Sequence, residues 1–348
     1  MTSATSSFSA RERRGTHILL AHGGGGQLTD ELVGSMVLPR LGNAVLNDLL
    51  DSGIVDLSGT TVALSIDGYV VQPLQFPGGD IGRLAISGTV NDLAVCGAEP
   101  VAIALGMVLA EGLERSVLED VLDSIQETAH EAGVRVVTGD TKVVGRNHAD
   151  GMYITTAGIG RGMTVRRLHA DQVQAGDVII LSGSIADHGL AVMLAREMPD
   201  VQSVIKSDVA PLNQMIGRLL RRVPQIVFMR DPTRSGLAGV VADLAARTGL
   251  HVVLEESEIP VHPETLHAAE MLGLDPLEVA NEGKVVFVVR PPGPDALLAA
   301  LHEEPLGREA RVIGRIERTP DGICELHTRI GGRRILQKPY GEQLPRIC

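Results

Sequence analysis

The chain has 348 residues, of which 44% are hydrophobic and 21% are charged, a composition typical of two globular domains with a substantial core. Its formal net charge is -12, which argues against nucleic acid or an anionic membrane surface as the main partner. Aromatic residues make up 2% of the chain and Trp is absent, so Ala, Val, Leu and Ile must build the core.

The cysteines Cys96, Cys324 and Cys348 lie far apart, without the spacing of a metal site. They are predicted to be reduced thiols, which fits a cytoplasmic protein. Residues 1–15 are rich in Ser, Thr and Arg and lack the apolar stretch of a secretory signal, so they are interpreted as a disordered extension. No apolar run is long enough to span a bilayer.

The hydrophobic pattern mixes strands and helices along the whole chain. In the first half, strands are predicted over 17–21, 61–66, 101–109, 134–138 and 152–159, and helices over 41–50, 80–96 and 116–132. The polar segment 166–176 is predicted to cross between two domains. In the second half, strands are predicted over 177–181, 252–254, 284–289 and 311–318, and helices over 188–196, 211–221, 236–247, 263–272 and 294–301. Because no strict βαβ repeat is present, the pattern favours two α+β domains.

Four aspartates, Asp67, Asp92, Asp140 and Asp231, fall at predicted strand ends or in turns next to small residues. A carboxylate held at the end of a buried strand faces the rim of the sheet, and several such carboxylates can hold Mg²⁺ against phosphate oxygens. Each aspartate alone is more typical of a turn or a helix cap. The set therefore predicts a magnesium and phosphate site more strongly than any member does.

A run of four glycines, Gly23 to Gly26, follows His22. Glycines let backbone N–H groups approach a phosphate closely, although a flexible connector explains such a run equally well. The GxxxxGK[ST], GxGxxG and GxSxG motifs of P-loop, dinucleotide-binding and hydrolase sites are absent.

Lys142 and Glu282 are candidate catalytic side chains. Lys142 follows Asp140 by two residues, where its charge would neutralise a transferring phosphoryl group. Glu282 lies between Asn281 and Gly283 in a predicted tight turn, where its carboxylate would serve as a general base. The alternatives are a solvated surface lysine and a plain turn residue.

The chain ends in an unpaired cysteine, Cys348. A frayed chain end is the simpler interpretation, but an exposed free thiol is prone to oxidation and is uncommon without a use. The preceding segment, 337–345, contains two prolines and a glycine and is typical of a semi-extended arm. The pattern thus favours a working thiol carried on a flexible tail.

From about residue 18 to the end, the motifs resemble those of the HypE family, the carbamoyl dehydratases of hydrogenase maturation. The terminal Pro-Arg-Ile-Cys is the most specific signal, because it separates this family from related aminoimidazole ribonucleotide synthetases, selenophosphate synthetases and thiamine-monophosphate kinases. Ser235 departs from the family pattern, which usually has glycine there. The matching segments are 21–26, 65–71, 77–84, 88–94, 137–144, 187–189, 229–234, 281–283 and 345–348.

The resemblance implies an α+β, two-domain, aminoimidazole ribonucleotide synthetase-like fold. An N-terminal domain, 16–165, would bind ATP and pair its sheet with that of a second subunit in a homodimer. A C-terminal α+β domain, 170–332, would complete an ATP cleft, and a flexible tail, 333–348, would carry the thiol.

The resemblance also implies a reaction. A HypF-type carbamoyltransferase would load a carbamoyl group onto Cys348, and the tail would fold back into the site. ATP would phosphorylate the carbamoyl oxygen, and loss of phosphate would leave a thiocyanate. The cyano group would then pass to iron on a HypC–HypD complex for the [NiFe]-hydrogenase centre.

Specific residues are implied for each part of this reaction. Mg²⁺ would be held by Asp67, Asp92 and Asp140, and Arg346 would offset the carboxylate of the terminal residue. Cys348, Lys142 and Glu282 would carry the chemistry. The expected contacts to ATP and Mg²⁺ are His22, Gly24, Gly25, Asp67, Asn91, Asp92, Asp140, Thr141, Asp231 and Arg234.

Two other interpretations remain open from the sequence. Another ATP-dependent kinase or synthetase of the same superfamily would place its nucleophile near the N-terminus, where no cysteine precedes Cys96. A non-enzymatic carrier or scaffold would use Cys348 for docking or disulfide exchange and would not require ATP. Metal delivery by the thiol lacks the necessary ligand spacing.

Overall fold

The computed structural model describes residues 17–162, 168–201, 203–319, 322–341 and 347–348. The α-helices are α1 Gln27–Leu32, α2 Leu38–Leu41, α3 Ile81–Val95, α4 Arg115–Ala132, α5 Asp187–Glu197, α6 Asn213–Arg222, α7 Gly236–Thr248, α8 Pro263–Leu272 and α9 Pro294–His302. The strands are β1 Gly53–Leu57, β2 Thr60–Tyr69, β3 Gln75–Phe76, β4 Gly79–Asp80, β5 Ala98–Ala110, β6 Arg135–Val144, β7 Met152–Gly162, β8 Val178–Leu181, β9 Ile226–Arg230, β10 His251–Glu255, β11 Val286–Val289, β12 Arg311–Glu317, β13 Cys324–His327 and β14 Arg333–Leu336.

The first half of the chain builds a sheet with the strand order β1-β2-β7-β5-β6 among the described residues. Only β5 and β6 pair in parallel there, and the other neighbours are antiparallel. Helices α3 and α4 pack together beside this sheet. Most of α3 is buried, because it also contacts α6 and β9 of the second half. This helix therefore links the two halves of the molecule.

The first sheet also presents apolar side chains to solvent. Ile66 on β2 and Val143 on β6 are each 69% exposed, and Leu64 and Val137 are also exposed. A group of exposed apolar side chains of this kind is typical of a surface that another protein covers.

The second half builds a sheet with the strand order β14-β13-β10-β12-β8-β11-β9 among the described residues. Successive residues of β8 point to opposite faces, so Ile179 and Leu181 join a core with α7, whereas Ile180 joins a core with α6 and α9. Helices therefore cover both faces of this sheet. The predicted mixture of helices and strands in an α+β fold is confirmed.

The region before β1 differs from the prediction. Leu20–Gly23 is a single 3-10 turn instead of a strand over 17–21, and the predicted helix over 41–50 is only a turn at Leu46–Asp48. The Asn43 side chain accepts hydrogen bonds from the backbone of Val45 and Leu46, which holds a local turn in place of a helix. The helical residues lie earlier, in α1, α2 and the π-helical Val33–Val37 between them.

Two further predictions need correction. Asp140 was expected in a turn after a strand ending at 138, but β6 continues through it to Val144. The tail was expected to begin at residue 333, but Arg333–Leu336 forms β14, which pairs with β13. The expected disordered extension, 1–15, and residues 166–167 of the expected crossing lie outside the described residues. No helix within the described ranges is long and apolar enough to cross a membrane.

Candidate active site

Four acidic side chains from four different elements meet around a small cavity of about 40 Å³. Asp67 comes from β2, Asp92 from α3, Asp231 from the residue after β9, and Glu282 from the loop before β11. The cavity also reaches the terminal residue of the chain. Its lining residues are Asp67, Gly68, Tyr69, Gly88, Asp92, Asp231, Thr233, Arg234, Glu282 and Cys348.

Short hydroxyl side chains hold the first two carboxylates. The Ser65 hydroxyl donates to Asp92 Oδ2 at 2.8 Å, and the Thr89 hydroxyl donates to Asp67 Oδ2 at 3.0 Å. Burial raises the pKa of Asp67 and raises the pKa of Asp92 well above its usual value. The negative charge of Asp67 raises the pKa of Asp92 further, because like charges close together disfavour ionisation.

The other two carboxylates lie in the same environment. Burial, followed by the charge of Asp51, raises the pKa of Asp231 to about 7. Burial and the charges of Asp231 and Asp208 raise the pKa of Glu282 well above its usual value. In the part of the chain that the structure describes, the buried Glu282 Oε1 has no hydrogen-bond partner. Burial and mutual repulsion therefore disfavour ionisation of these carboxyl groups unless a proton or a cation balances their charge.

Two arginines supply the positive charge at this cluster. Arg230 lies 3.3 Å from the carboxylate of Asp51, which raises the pKa of its guanidinium. Arg234 has its pKa raised first by the negative charge of Cys348 and then by Asp67. Arg234 thus faces the terminal residue, whereas the predicted Arg346 lies outside the described residues.

The acidic cluster suits Mg²⁺ that arrives with a nucleotide. Mg²⁺ keeps several waters and is usually bound by one or two carboxylates together with substrate phosphates, so it needs no complete protein cage. Among the described residues, no group of three His, Cys, Asp or Glu side chains is arranged to hold a metal ion. Asp67 and Asp92, linked through Ser65, form a pair of neighbouring carboxyl groups that fits such an ion.

The chain's own C-terminus lies in this site. The Val70 N–H donates to an oxygen of Cys348 at 3.2 Å, and Ile347 is 3% exposed in a hydrophobic core to which both halves of the chain contribute. His188 Nε2 lies 3.1 Å from the carbonyl oxygen of Ile347. The terminal thiol is therefore held beside the acidic cluster in the same subunit.

The glycine run follows the path of the tail and of Arg234. A Cβ at Gly26 would lie 2.5 Å from the carbonyl oxygen of Pro339, and one at Gly25, whose φ is +73°, would lie 2.8 Å from Arg234 Cβ. The backbone N–H of Gln27 donates to that same Pro339 oxygen at 2.9 Å. Glycines here allow two close approaches that a side chain would block.

The chain matches two family models, the AIR synthase related protein N-terminal domain over residues 50–162 and its C-terminal domain over residues 174–327. A carbamoyl dehydratase HypE of Rhizobium leguminosarum bv. viciae is 43% identical over 330 residues, covering 94% of this chain and 94% of the relative. The chain belongs to the HypE family. Within that family, a HypE structure in complex with ATP superposes with a TM-score of 0.80 at 39% identity, covering 95% of this chain and 100% of that one. A HypE–HypF complex superposes with a TM-score of 0.83 at 36% identity, covering 88% and 99%.

Three residues predicted for the HypE-type site lie elsewhere in a single chain. Asp140, Thr141 and Lys142 are on β6, and strands β7 and β5 separate β6 from the β2 strand of Asp67. Three strand spacings amount to about 14 Å. Asp140 pairs instead with Lys142 at 2.6 Å, and this exposed contact lowers the pKa of Asp140.

Asn91 was predicted to contact the cofactor, but its side chain is used within the protein. Its amide donates to the carbonyl oxygens of Ala210 and Glu282, and its Oδ1 accepts from the Leu212 N–H at 2.7 Å. Asn91 is buried, and its side-chain amide already makes hydrogen bonds through both its N–H groups and its oxygen. It therefore joins α3 to the loop of Glu282 and does not face the cavity.

His22 also has a local role, since its Nδ1 lies 3.0 Å from the Leu19 nitrogen. Gly24 is buried in the glycine loop. In the same loop, the carbonyl oxygen of Gly23 accepts a hydrogen bond from Arg234 Nη1 at 3.1 Å. The loop thus borders the cluster through Arg234. Ser235 has a φ of +66°, so the serine at this glycine position adopts a left-handed conformation that costs about 1 kcal/mol.

Several residues of the site were not predicted from the sequence. Ser65 was detectable, because it lies two positions before Asp67 on one strand and therefore on the same face. His188 stood in a matched segment but received no role. Asp51, whose charge reaches Asp67, Asp92 and Asp231, carried no sequence signal beyond its place two positions before Gly53.

Proposed function

We propose that this protein dehydrates a carbamoyl group on its own Cys348 thiol to a thiocyanate, using ATP, and so supplies cyanide ligands for the iron of [NiFe]-hydrogenase. The observation that carries this proposal is the terminal cysteine, seated in the chain's own acidic cluster. Membership of the HypE family and the ATP complex of a relative support it.

The chemistry explains the need for ATP. The carbamoyl oxygen is a poor leaving group as oxide or hydroxide, whereas phosphate leaves readily. The sum of the reaction is R–S–CO–NH₂ plus ATP giving R–S–C≡N, ADP and phosphate, so the oxygen of the carbamoyl group ends in the phosphate. Two protons must leave the nitrogen, and a base within the site must accept them.

Glu282 is the proposed base. Its buried carboxyl borders the same cavity as Cys348, and one of its oxygens has no hydrogen-bond partner in the described part of the chain. Because the pKa of Glu282 is raised, its carboxylate binds a proton more tightly than an ordinary glutamate does. Arg234 offsets the charge that the terminal residue brings into the site.

Asp67 and Asp92 are the proposed ligands of Mg²⁺, and Asp231 faces the same cavity. When bound, the ion would neutralise charge on the phosphates of ATP. The two carboxylates would hold and orient the ion, and the hydroxyls of Ser65 and Thr89 fix the positions of the carboxylate oxygens.

Asp140 and Lys142 would reach the site from a second copy of the chain in a homodimer. Their strand, β6, forms an edge of the first sheet, and its side chains are exposed along almost its whole length. Exposed Ile66 and Val143 give the same sheet an apolar surface for pairing. Such a dimer would complete each site with the phosphate-neutralising lysine that a single chain lacks there.

Co-expression of two inactive variants tests this shared site. Asp67→Asn and Lys142→Ala should each be inactive alone, but mixed dimers contain one site free of both changes. Random pairing would therefore restore about one quarter of wild-type dehydration. Two differently tagged subunits purified in tandem allow the rate per mixed dimer to be measured. No recovery in purified mixed dimers would mean that both residues act within one chain.

The proposed partners follow from the reaction. A HypF-type carbamoyltransferase would load the thiol, as the HypE–HypF complex of a relative suggests, and an iron-carrying HypC–HypD complex would accept the cyano group. The free thiols of Cys96, Cys324 and Cys348 fit a reducing compartment such as the cytoplasm.

Intact mass spectrometry tests the proposed function. The protein is incubated with its carbamoylating system and then with Mg-ATP, in parallel with Cys348→Ala. We expect the mass of one carbamoyl group to appear and one water to be lost only after ATP is added. Cys348→Ala should show neither change. ATP turnover without any adduct on Cys348 would favour a small-molecule kinase or synthetase of the same superfamily.

A further inference from the structure

The end of the chain is fixed at its last two residues. Ile347 is buried in a hydrophobic core to which both halves of the chain contribute, and its carbonyl oxygen accepts a hydrogen bond from His188 Nε2 at 3.1 Å. Next to it, the Val70 N–H donates to Cys348. His188 is fully buried and belongs to α5 of the second half, so the tail is held by both halves of the molecule.

A chain of hydrogen bonds determines which ring nitrogen of His188 carries the proton. The Val209 N–H donates to Ser207 Oγ at 3.0 Å, so the Ser207 hydroxyl is free to donate its own proton. That hydroxyl lies 2.8 Å from His188 Nδ1, which accepts. The remaining nitrogen, Nε2, then carries the hydrogen that the Ile347 carbonyl requires.

The surroundings keep this arrangement rigid. Burial lowers the pKa of His188, which keeps the ring neutral with a single N–H. The Phe76 ring meets the imidazole edge-on, with centroids 5.5 Å apart. Ser207 is itself held by its N–H, which donates to the Pro77 carbonyl at 2.7 Å. A Cβ at Gly78 would lie 2.7 Å from the Ser207 nitrogen, so this turn packs closely against the serine.

The same loop also reaches the proposed base. Asp208, the neighbour of Ser207, accepts a hydrogen bond from the Glu282 N–H at 3.1 Å and forms an ion pair with Lys284. The loop that orients His188 therefore also positions Glu282. Tail docking and placement of the base depend on one short segment.

We propose that His188 is the positioning residue that latches the C-terminal tail in the active site. The neutral ring donates to the Ile347 carbonyl and thereby holds the Cys348 thiol at the acidic cluster, with Ser207 fixing the donor nitrogen. The inference rests on the proposed function and adds a control point to it. The tail must leave this latch to meet the carbamoyltransferase and must return to it for dehydration.

Alkylation of Cys348 by iodoacetamide, read on the C-terminal peptide by mass spectrometry, measures how often the tail leaves its site. Burial raises the pKa of both Cys96 and Cys324, so these thiols react slowly. We expect His188→Ala to react about tenfold faster than wild type, because one buried hydrogen bond to the tail is lost. His188→Gln, which keeps an N–H donor at the same reach, should recover most of the protection.

Two further variants keep the inference testable if His188→Ala folds poorly. Ser207→Ala removes the hydroxyl that fixes the tautomer and should speed alkylation about threefold. His251→Gln is the matched control, since His251 is a buried histidine of the second sheet that contacts Glu325 and not the tail. It should leave the alkylation rate unchanged.

Single-turnover dehydration of the preloaded protein supplies the functional readout. His188→Ala should lower this rate, because the thiol is no longer held in position at the acidic cluster, without weakening ATP binding or slowing carbamoyl loading. Unchanged alkylation in His188→Ala, or an equal increase in His251→Gln, would overturn the latch. Alkylation needs neither ATP nor dehydration, so it separates failure of the latch from failure of the proposed function.

Discussion

Glu282→Gln lowers the single-turnover rate of dehydration by about 10³-fold, because a positioned general base contributes about 10²–10⁴-fold. The glutamine keeps the size of the buried side chain but takes up no proton at neutral pH. Carbamoyl loading on Cys348 and binding of ATP should stay within a factor of about two, since neither step uses the base. Rapid quenching followed by mass analysis of the C-terminal peptide measures the rate.

The control is Glu325→Gln, which changes a largely buried carboxylate of the second sheet that contacts His251. It should leave the rate unchanged while imposing a comparable loss of charge. A Glu282→Gln rate within threefold of wild type would remove this residue from the chemistry. Asp231, which borders the same cavity, would then be the next candidate for the base.

Much of the fold could be predicted from local patterns. The predicted helix over 263–272 has the same bounds as α8, and that over 116–132 differs from α4 by one residue at its start. These helices have clear signals, such as Pro263 in the first turn and Gly133 in a left-handed conformation after the last. Strands β13 and β14 were missed because both are short and because β13 is placed in the sheet by its pairing with the distant β10.

The existence of an acidic cluster could be predicted better than which residues belong to it. Asp67, Asp92 and Asp231 lie together as their motifs suggested, but Asp140 does not. The order of strands in a sheet is a long-range property: β7 pairs with β2 but follows it in the sequence only after α3, β5, α4 and β6. No local pattern reports that separation.

The docking of the tail shows a different limit of prediction from the sequence. Its terminal motif indicated a working thiol, but the histidine that receives it lies 159 positions earlier in the sequence. A lone buried histidine has no signal of its own in a single sequence. Only the fold shows that Ser207 and Ile347 meet the two sides of its ring.

Asp231→Asn is expected to stabilise the protein above neutral pH while impairing its activity. The pKa of Asp231 is about 7 in the folded chain against an ordinary value of 3.8, so the folded state binds this proton more tightly than the unfolded state does. The resulting stability is fully present below pH 3.8, declines as the pH rises, and is lost above about 7. The side-chain amide of the variant carries no charge, so the stability of the variant does not decline in this way as the pH rises.

At pH 8 the variant should exceed wild type in free energy of unfolding by about 2 kcal/mol, about half of the linkage value, because neighbouring carboxylates share the charge. At pH 5 the difference should be small. Thermal unfolding between pH 5 and pH 8, followed by circular dichroism without divalent ions, measures the trend. A variant that unfolds below wild type at pH 8 would show that the charge on Asp231 is already balanced.

Asp177→Asn provides the contrasting control. Asp177 is a buried aspartate too, but its Oδ1 lies 3.2 Å from Arg290 Nε and its Oδ2 accepts from the Gln174 N–H at 2.9 Å. Removing its charge leaves an arginine without its partner, so this variant should lose stability at pH 8.

Adding Mg-ATP should raise the unfolding temperature of wild type more than that of Asp231→Asn, because only wild type retains the full negative charge that a cation balances. The charge of Asp231 would thus lower the stability of the folded chain while it contributes to binding the nucleotide and its ion.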